Sequence, residues 1–148
     1  MKILVDADSC PKEARDLVLR RAKKLNIRPI FAANRQIPGA EEAQMEICCA
    51  NENSADDRIV ELAEKNDLAV TRDVPLAKRL IEKEVFVLDD RGRVFTANNI
   101  NEMLSFRNFA VGLVENGLDI IRTANYGKKE LKSFADSLDR LLTKINKN

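Results

Sequence analysis

Residues 1–11 read MKILVDADSCP, and this stretch decides how the rest of the chain is interpreted. Ile3-Leu4-Val5 is a short unbroken apolar run, as expected for a strand that is buried on both faces of a sheet. Asp6 and Asp8 follow directly, and Pro11 is typical of the first turn of a helix. The stretch therefore predicts a strand that leads through two carboxylates into a helix.

Alternating strand and helix patterns continue from this first unit to residue 88. Short apolar runs predict further strands, and apolar residues at helical spacing predict the helices between them. Such an alternation calls for a mostly parallel sheet with helices on both faces, in which we expect the first strand to be central. The further strands are predicted at residues 29–33, 45–49, 68–71 and 85–88, with helices after Pro11, after Ser54 and from Pro75, and with a loop or short helix at 36–43.

The remainder of the chain predicts an antiparallel arm and two more helices. Asp89-Asp90-Arg91-Gly92 is a favourable turn sequence, and Val94-Phe95-Thr96 is expected to return antiparallel at the periphery of the sheet. One helix is expected from Asn99 to about Asn116, and a last helix carries an apolar stripe from Leu131 to Ile145. We expect residues 1–148 to form a single α/β domain.

The composition excludes several classes of protein. The chain has 45% hydrophobic and 33% charged residues, which is globular, and 25 Lys and Arg nearly balance 24 Asp and Glu. Net charge therefore gives no argument for a nucleic-acid or membrane partner. No apolar run approaches the length of a membrane span, and the N-terminus does not resemble a signal peptide, so we expect a cytoplasmic protein. Cys10, Cys48 and Cys49 lack metal-ligand spacing and are expected to be thiols in a reducing compartment.

Histidine is absent, which excludes Ser-His-Asp and Cys-His catalysis and His-ligated zinc. Aspartates instead follow the predicted strands: Asp6 and Asp8 after the first, Asp56 and Asp57 at the start of the helix after the third, and Asp73 after the fourth. The carboxyl ends of parallel strands share one edge of the sheet, where ligands bind. Carboxylates gathered there repel one another unless a cation neutralises them, and oxygen ligands alone favour Mg²⁺ or Mn²⁺.

Each acidic position also has a purely structural interpretation. Asp8 and Asp73 each precede a predicted helix and are suited to cap it. Asp89 and Asp90 are interpreted as turn residues of the hairpin, with a role as metal- or substrate-binding groups as the alternative. Asp57 stands three residues after Ser54, in the arrangement of a capping box, so we assign metal binding to Asp56 and stability of the helix to Asp57.

Several motifs resemble the YaiI/YqxD family of small bacterial proteins over nearly the whole chain. They are VDADSCP at residues 5–11, Ala55-Asp56 at the start of a helix, and TRDVPLA at residues 71–77. Asn34, Gly92-Arg93 and Arg107 also fit this resemblance.

Residues 55–73, ADDRIVELAEKNDLAVTRD, more distantly resemble PIN-like nuclease domains. That resemblance implies a three-layer α/β/α fold in which Asp6, Asp56 and Asp73 form an acidic site. Residues 123–127 depart from the YaiI/YqxD pattern, since they lack the usual Gly/Pro-rich stretch.

These observations lead us to expect a metal-dependent phosphodiesterase, or nuclease, that acts on RNA. Asp6, Asp56 and Asp73, with Asp8 in support, would be its metal-binding and catalytic residues. Two alternatives stay open: a haloacid-dehalogenase-like phosphatase with Asp6 as nucleophile, and a non-enzymatic module that binds nucleic acid or protein and holds a structural ion. Substrate contacts are expected from Asn34, Arg72 and Arg107, with Arg35, Lys78 and Arg79 as further basic candidates.

Arg107 interrupts an otherwise apolar stripe of its predicted helix, which also carries Ile100, Met103 and Leu104. We therefore expect its guanidinium to be buried and to need a partner. That partner is either a structural ion pair or carbonyl, or else the acidic edge or a phosphate.

Overall fold

A computed structural model describes residues 1–48, 54–117 and 125–146 of the chain, without the side chain of Ser54. In these ranges the protein is an α/β structure, as the sequence predicts. Its strands are β1 (Ile3–Asp6), β2 (Ile30–Ala33), β3 (Gln44–Ile47), β4 (Leu68–Val70), β5 (Phe86–Leu88) and β6 (Val94–Phe95). Its α-helices are α1 (Lys12–Lys24), α2 (Ser54–Leu62), α3 (Val74–Glu82), α4 (Ile100–Glu115) and α5 (Lys128–Asn146).

The strands form one sheet in the order β3-β2-β1-β4-β5-β6. All neighbouring strands are parallel except β5 and β6, which are antiparallel. The predicted central position of the first strand and the peripheral position of the hairpin arm are both confirmed. Successive strands are added on one side of β1 up to β3 and on its other side from β4 onward. In open α/β sheets such a switch point, here between β1 and β4, forms the crevice that binds ligands.

The central position of β1 follows from its sequence, because every residue of this strand is buried. Ile3 and Val5 face one apolar layer, which also contains Phe134 of α5. Leu4 faces the opposite layer with Ile59 of α2. Burying each such side chain contributes roughly 1.5–3 kcal/mol, so a strand that is apolar on both faces is most stable between two helical layers.

The structure adjusts several predicted boundaries. The uncertain segment 36–43 is a loop, and β3 ends at Ile47, so Cys49 falls outside the described residues. The unusual segment 123–127 is described only from residue 125 onward.

Cys10 is buried, and this burial raises the pKa of its thiol to about 12, so the thiol stays protonated at neutral pH.

Helix α5 is the longest helix of the described chain and covers one face of the sheet. Its predicted apolar stripe is confirmed, since Phe134, Leu138 and Leu142 are buried while its charged residues lie on the opposite side. None of the described helices combines the length and the apolar character needed to cross a lipid bilayer.

Gly92 fixes the β5–β6 turn against α5. Its φ of +87° lies in the left-handed region, and a Cβ at this position would collide with the backbone carbonyl of Ser133. The Ser137 hydroxyl donates a hydrogen bond of 2.6 Å to the Gly92 carbonyl oxygen. The hairpin turn and the helix can approach this closely only because residue 92 has no side chain.

We expect Gly92→Ala to lower the free energy of unfolding by about 2–4 kcal/mol, because it combines a left-handed backbone with a steric clash. Gly39→Ala is the matched control. Gly39 has a φ of +77°, and no atom lies within 4 Å of the position that an added methyl group would occupy, so only the backbone cost of about 1–2 kcal/mol applies. Urea unfolding of both variants measures the difference. Equal losses would contradict the role of close packing at Gly92.

Candidate functional site

Asp6 ends β1 at the switch point and is only 7% exposed. Its Oδ2 accepts hydrogen bonds from the hydroxyls of Thr71, at 2.9 Å, and Ser9, at 3.0 Å. Burial raises the pKa of Asp6, these two hydrogen bonds oppose the increase, and the charges of Asp73 and Asp8 add to it. Because both hydrogen bonds end on Oδ2, Oδ1 is the oxygen that a ligand would meet.

Thr71 connects the ends of β1 and β4. Its hydroxyl donates to Asp6 and accepts a hydrogen bond of 3.0 Å from the backbone N–H of Asp73. Asp73 is the N-cap of α3, since its Oδ1 accepts from the Leu76 N–H at 3.1 Å and Pro75 occupies the first turn. The capping interpretation of Asp73 is therefore correct, and it occupies one of the two carboxylate oxygens.

Asp56 lies in the first turn of α2 and faces the same crevice. Burial raises its pKa to about 7, with further contributions from the charges of Asp73 and Asp6 and from a hydrogen bond to the Asp73 side chain. Arg79 opposes the increase. Asp6, Asp56 and Asp73 therefore interact with one another, although they come from three separate segments of the chain.

That the carboxylates of Asp6, Asp56 and Asp73 come close enough to bind one shared ion stays a prediction. Within residues 1–48, 54–117 and 125–146, no three acidic or thiol side chains are already arranged around one ion position. Binding an ion at this crevice would therefore require rotation of at least one of the carboxylates.

Asp57 points away from the crevice. It is exposed, and its Oδ1 accepts a hydrogen bond of 2.9 Å from Arg79 Nη1 on α3. The expected capping partner, the Ser54 side chain, lies outside the described residues. Asp56 and Asp57 therefore have different surroundings, and the assignment of metal binding to Asp56 stays a prediction.

Asp8 lies at the margin of the site, in a 3-10 turn of residues 7–9. It is exposed, and its Oδ2 accepts a hydrogen bond of 2.9 Å from the backbone N–H of Asn34, after β2. Arg35 Nε is 3.9 Å from its Oδ1. The capping interpretation of Asp8 is wrong, because α1 begins after Pro11 and has no side-chain cap. Asp8 instead holds the loop after β2 beside the end of β1.

The sequence did not distinguish Asp90 from its neighbour Asp89 in the hairpin turn. Asp89 behaves as the predicted turn residue, since its Oδ1 accepts from the backbone N–H groups of Arg91 and Arg93, each at 2.9 Å. Asp90 is 2% exposed, and neither of its carboxylate oxygens has a hydrogen-bond partner among the described residues. Burial raises its pKa, and Arg72 opposes the increase. The signal was available, because Asp90 also follows a parallel strand at the same edge of the sheet.

Arg72 lies between this buried acid and the loop after β1. Its Nε donates a hydrogen bond of 3.0 Å to the Ser9 carbonyl and lies 3.6 Å from Asp90 Oδ2. About half of its side chain, 51%, is exposed. It is thus a cation at the carboxyl edge, and its contact with substrate stays a prediction.

Arg107 is exposed, so the expectation that its guanidinium is buried is wrong. Its Nη1 donates to Asn108 Oδ1 at 3.1 Å. The reason is that Ile100 is the only buried residue of α4, while Phe106, on the same helix, is 72% exposed. Arg107 and Arg72 both line a groove of about 790 Å³ beneath α4. A contact between Arg107 and substrate stays a prediction.

Comparisons with known proteins agree with the motifs. The chain is 47% identical to the UPF0178 protein of Treponema denticola, over 99% of this chain and 95% of that protein. It is 41% identical to the UPF0178 protein of Myxococcus xanthus, over 99% and 97%, and 40% identical to that of Pseudomonas aeruginosa, over 99% and 93%. A search of solved structures found no match.

The PIN-like resemblance stays a prediction.

The model of the uncharacterised YaiI/YqxD family matches residues 4–144, a range that contains every acidic residue of the candidate site. The chain therefore belongs to the YaiI/YqxD family.

Proposed function

We propose that this protein is a metal-dependent phosphodiesterase that cleaves RNA, with Mg²⁺ or Mn²⁺ held by Asp6, Asp56 and Asp73 and supported by Asp8. One observation carries the proposal: three carboxylates from β1, α2 and the start of α3 interact at the switch point of the sheet. Ligands of open α/β sheets bind at this position, and perturbed carboxylates are frequent at catalytic sites.

The donor set fits a hard divalent cation. The charges that act most strongly on Asp6 are those of Asp73 and Asp8, which are both negative. At Asp56, Arg79 is the cation that opposes two acidic neighbours, and Arg79 also pairs with Asp57. A divalent ion with oxygen ligands would relieve this repulsion, and Mg²⁺ and Mn²⁺ prefer such ligands.

When bound, the ion would supply an activated water molecule and stabilise charge on the scissile phosphate. The chain's own residues would fix the geometry. The Thr71 and Ser9 hydroxyls hold Asp6 Oδ2, so Oδ1 would be the oxygen that coordinates the ion. Arg72 would contact a phosphate of the RNA backbone, since half of its side chain is exposed next to the crevice. The loop that begins at Asn34 would border the substrate on the other side of β1.

Metal binding can be tested by thermal unfolding with and without Mn²⁺. At a concentration about 100 times the dissociation constant, binding adds about 2.7 kcal/mol, which corresponds to a rise in Tm of roughly 5–10 °C for a chain of this size. We expect Asp56→Asn to abolish this rise. Asp57→Asn is the matched control, one residue away on the same helix, and should retain it. The assignment is wrong if the wild type shows no rise or if only Asp57→Asn loses it.

Catalysis can be tested with RNA, single-stranded DNA and a phosphomonoester, each with Mn²⁺ and with a chelator. We expect RNA cleavage only with the metal, and a loss of at least about 100-fold in Asp6→Asn, because the ion would lose a fixed ligand. Asp57→Asn should cleave like the wild type. Hydrolysis of the phosphomonoester alone would favour the phosphatase alternative, and metal-dependent binding without cleavage would favour a non-enzymatic module.

The raised pKa of Asp56 predicts a pH-dependent stability of the metal-free protein. The pKa is about 7 in the folded chain and about 3.9 in an unfolded chain, so folding favours the protonated acid. The resulting penalty is absent below pH 4, grows as pH rises, and is complete above pH 7. We expect Asp56→Asn to stabilise the protein by about 1–2 kcal/mol at pH 8, allowing for solvent screening, and to have no effect at pH 4. Urea unfolding in a chelator at both values measures this, and an equal effect at both would contradict it.

A further inference from the structure

Helix α4 presents an unusually apolar surface. Six large hydrophobic side chains are exposed in the part of the chain that the structure describes, and four of them lie on α4. Phe106 is 72% exposed, Phe109 65%, Val114 55% and Val111 40%. A helix that is apolar around most of its circumference is normally covered by another surface.

The sequence of α4 has the spacing of a two-helix seam. Met103, Phe106, Ala110 and Leu113 follow one another at intervals of three, four and three residues, which places them in one stripe at the a and d positions of a heptad pattern. The helix has 16 residues and is therefore roughly 24 Å long, enough for two heptads.

Two opposite charges flank this stripe on its two sides. Glu102 occupies a g position and Arg107 the following e position, and both side chains are exposed. They are five residues apart, so they cannot pair within one helix, where neighbours are three or four residues apart. Neither forms an ion pair with any residue of the described ranges. In two parallel helices, however, a g residue faces the e residue five positions further along the other helix.

The exposed area of α4 is also large enough for an interface between two copies of the chain. Aromatic side chains carry roughly 150–250 Å² each, so the exposed parts of Phe106 and Phe109 present on the order of 250 Å² per copy. Val114, the partly exposed members of the stripe and the flanking side chains of Glu102 and Arg107 bring two copies to about 1,000 Å² in total, which is the lower limit for a specific interface.

We propose that α4 is a dimerisation helix that packs in parallel, across a two-fold axis, against α4 of a second copy of this chain. The stripe of Phe106, Ala110 and Leu113 meets its own equivalent, while Met103, at the end of the stripe, packs against the protein's own core. Glu102 of each copy pairs with Arg107 of the other. This inference does not rest on the proposed function. It assigns Arg107 to the interface between copies instead of to the substrate.

Sedimentation velocity over a range of concentrations tests the proposal. We expect a reversible dimer for the wild type and a monomer for Phe106→Asp, because a carboxylate would be buried in the centre of the seam. Ile47→Asp is the matched control, since Ile47 is 54% exposed on β3, and it should dimerise like the wild type. A wild type that remains monomeric at the highest attainable concentration overturns the proposal, as does a dimer that Phe106→Asp leaves intact.

Charge exchange tests the pairing and the direction of the helices. Arg107→Glu and Glu102→Arg alone should each raise the dimer dissociation constant at least tenfold, and the double variant should restore it. The two single variants, when mixed, should form a heterodimer in preference to either homodimer, because both of its ion pairs are then complementary. Both side chains are exposed, so the test holds even if Phe106→Asp does not fold. No recovery in the double variant and in the mixture overturns the parallel arrangement. Loss of RNA binding by Arg107→Glu but not by an equally monomeric Phe106→Asp variant assigns Arg107 to substrate instead.

Discussion

The parallel pairing of β1 with β2 on one side and β4 on the other is the constraint on which the candidate site depends. Because β1 is covered on both faces and both edges, its last residue, Asp6, is carried into the interior of the crevice. A buried carboxylate is unfavourable unless it is hydrogen-bonded. Thr71 supplies that hydrogen bond from the end of β4. The same contact therefore joins the ends of β1 and β4 and orients the carboxylate of Asp6.

Comparison with another buried aspartate shows what distinguishes this edge. Asp67, at the opposite end of β4, is 3% exposed, accepts hydrogen bonds of 2.8 Å from the backbone N–H groups of Lys2 and Glu64, and lies 3.1 Å from Lys2 Nζ. Its partners satisfy it, and it is a structural residue. Asp90 is equally buried without any such hydrogen bond among the described residues, and Asp56 faces two other acids. Burial is common to both ends of the sheet, whereas unbalanced negative charge marks the carboxyl edge as a functional candidate.

The sequence was sufficient for those features that depend on local pattern. The run Ile3-Leu4-Val5 predicted a central strand, because successive residues of a strand point to opposite faces and consecutive apolar residues therefore indicate burial on both. The different roles of Asp89 and Asp90 were not predicted, because turn chemistry suits both residues equally. Both are 2% exposed, and only the hydrogen bonds around the hairpin separate the two. The exposure of Arg107 was missed for a different reason. An apolar stripe predicts which face of a helix avoids water, but it does not say whether this chain or another one covers that face.

Arg72 lies where two surfaces of the protein meet: the acidic carboxyl edge of the sheet and the groove beneath α4. It lies beside Asp90 at the acidic edge, and it also lines the groove beneath α4. A second copy packed on α4 would stand at the mouth of this groove and would form one wall of the approach to the carboxyl edge.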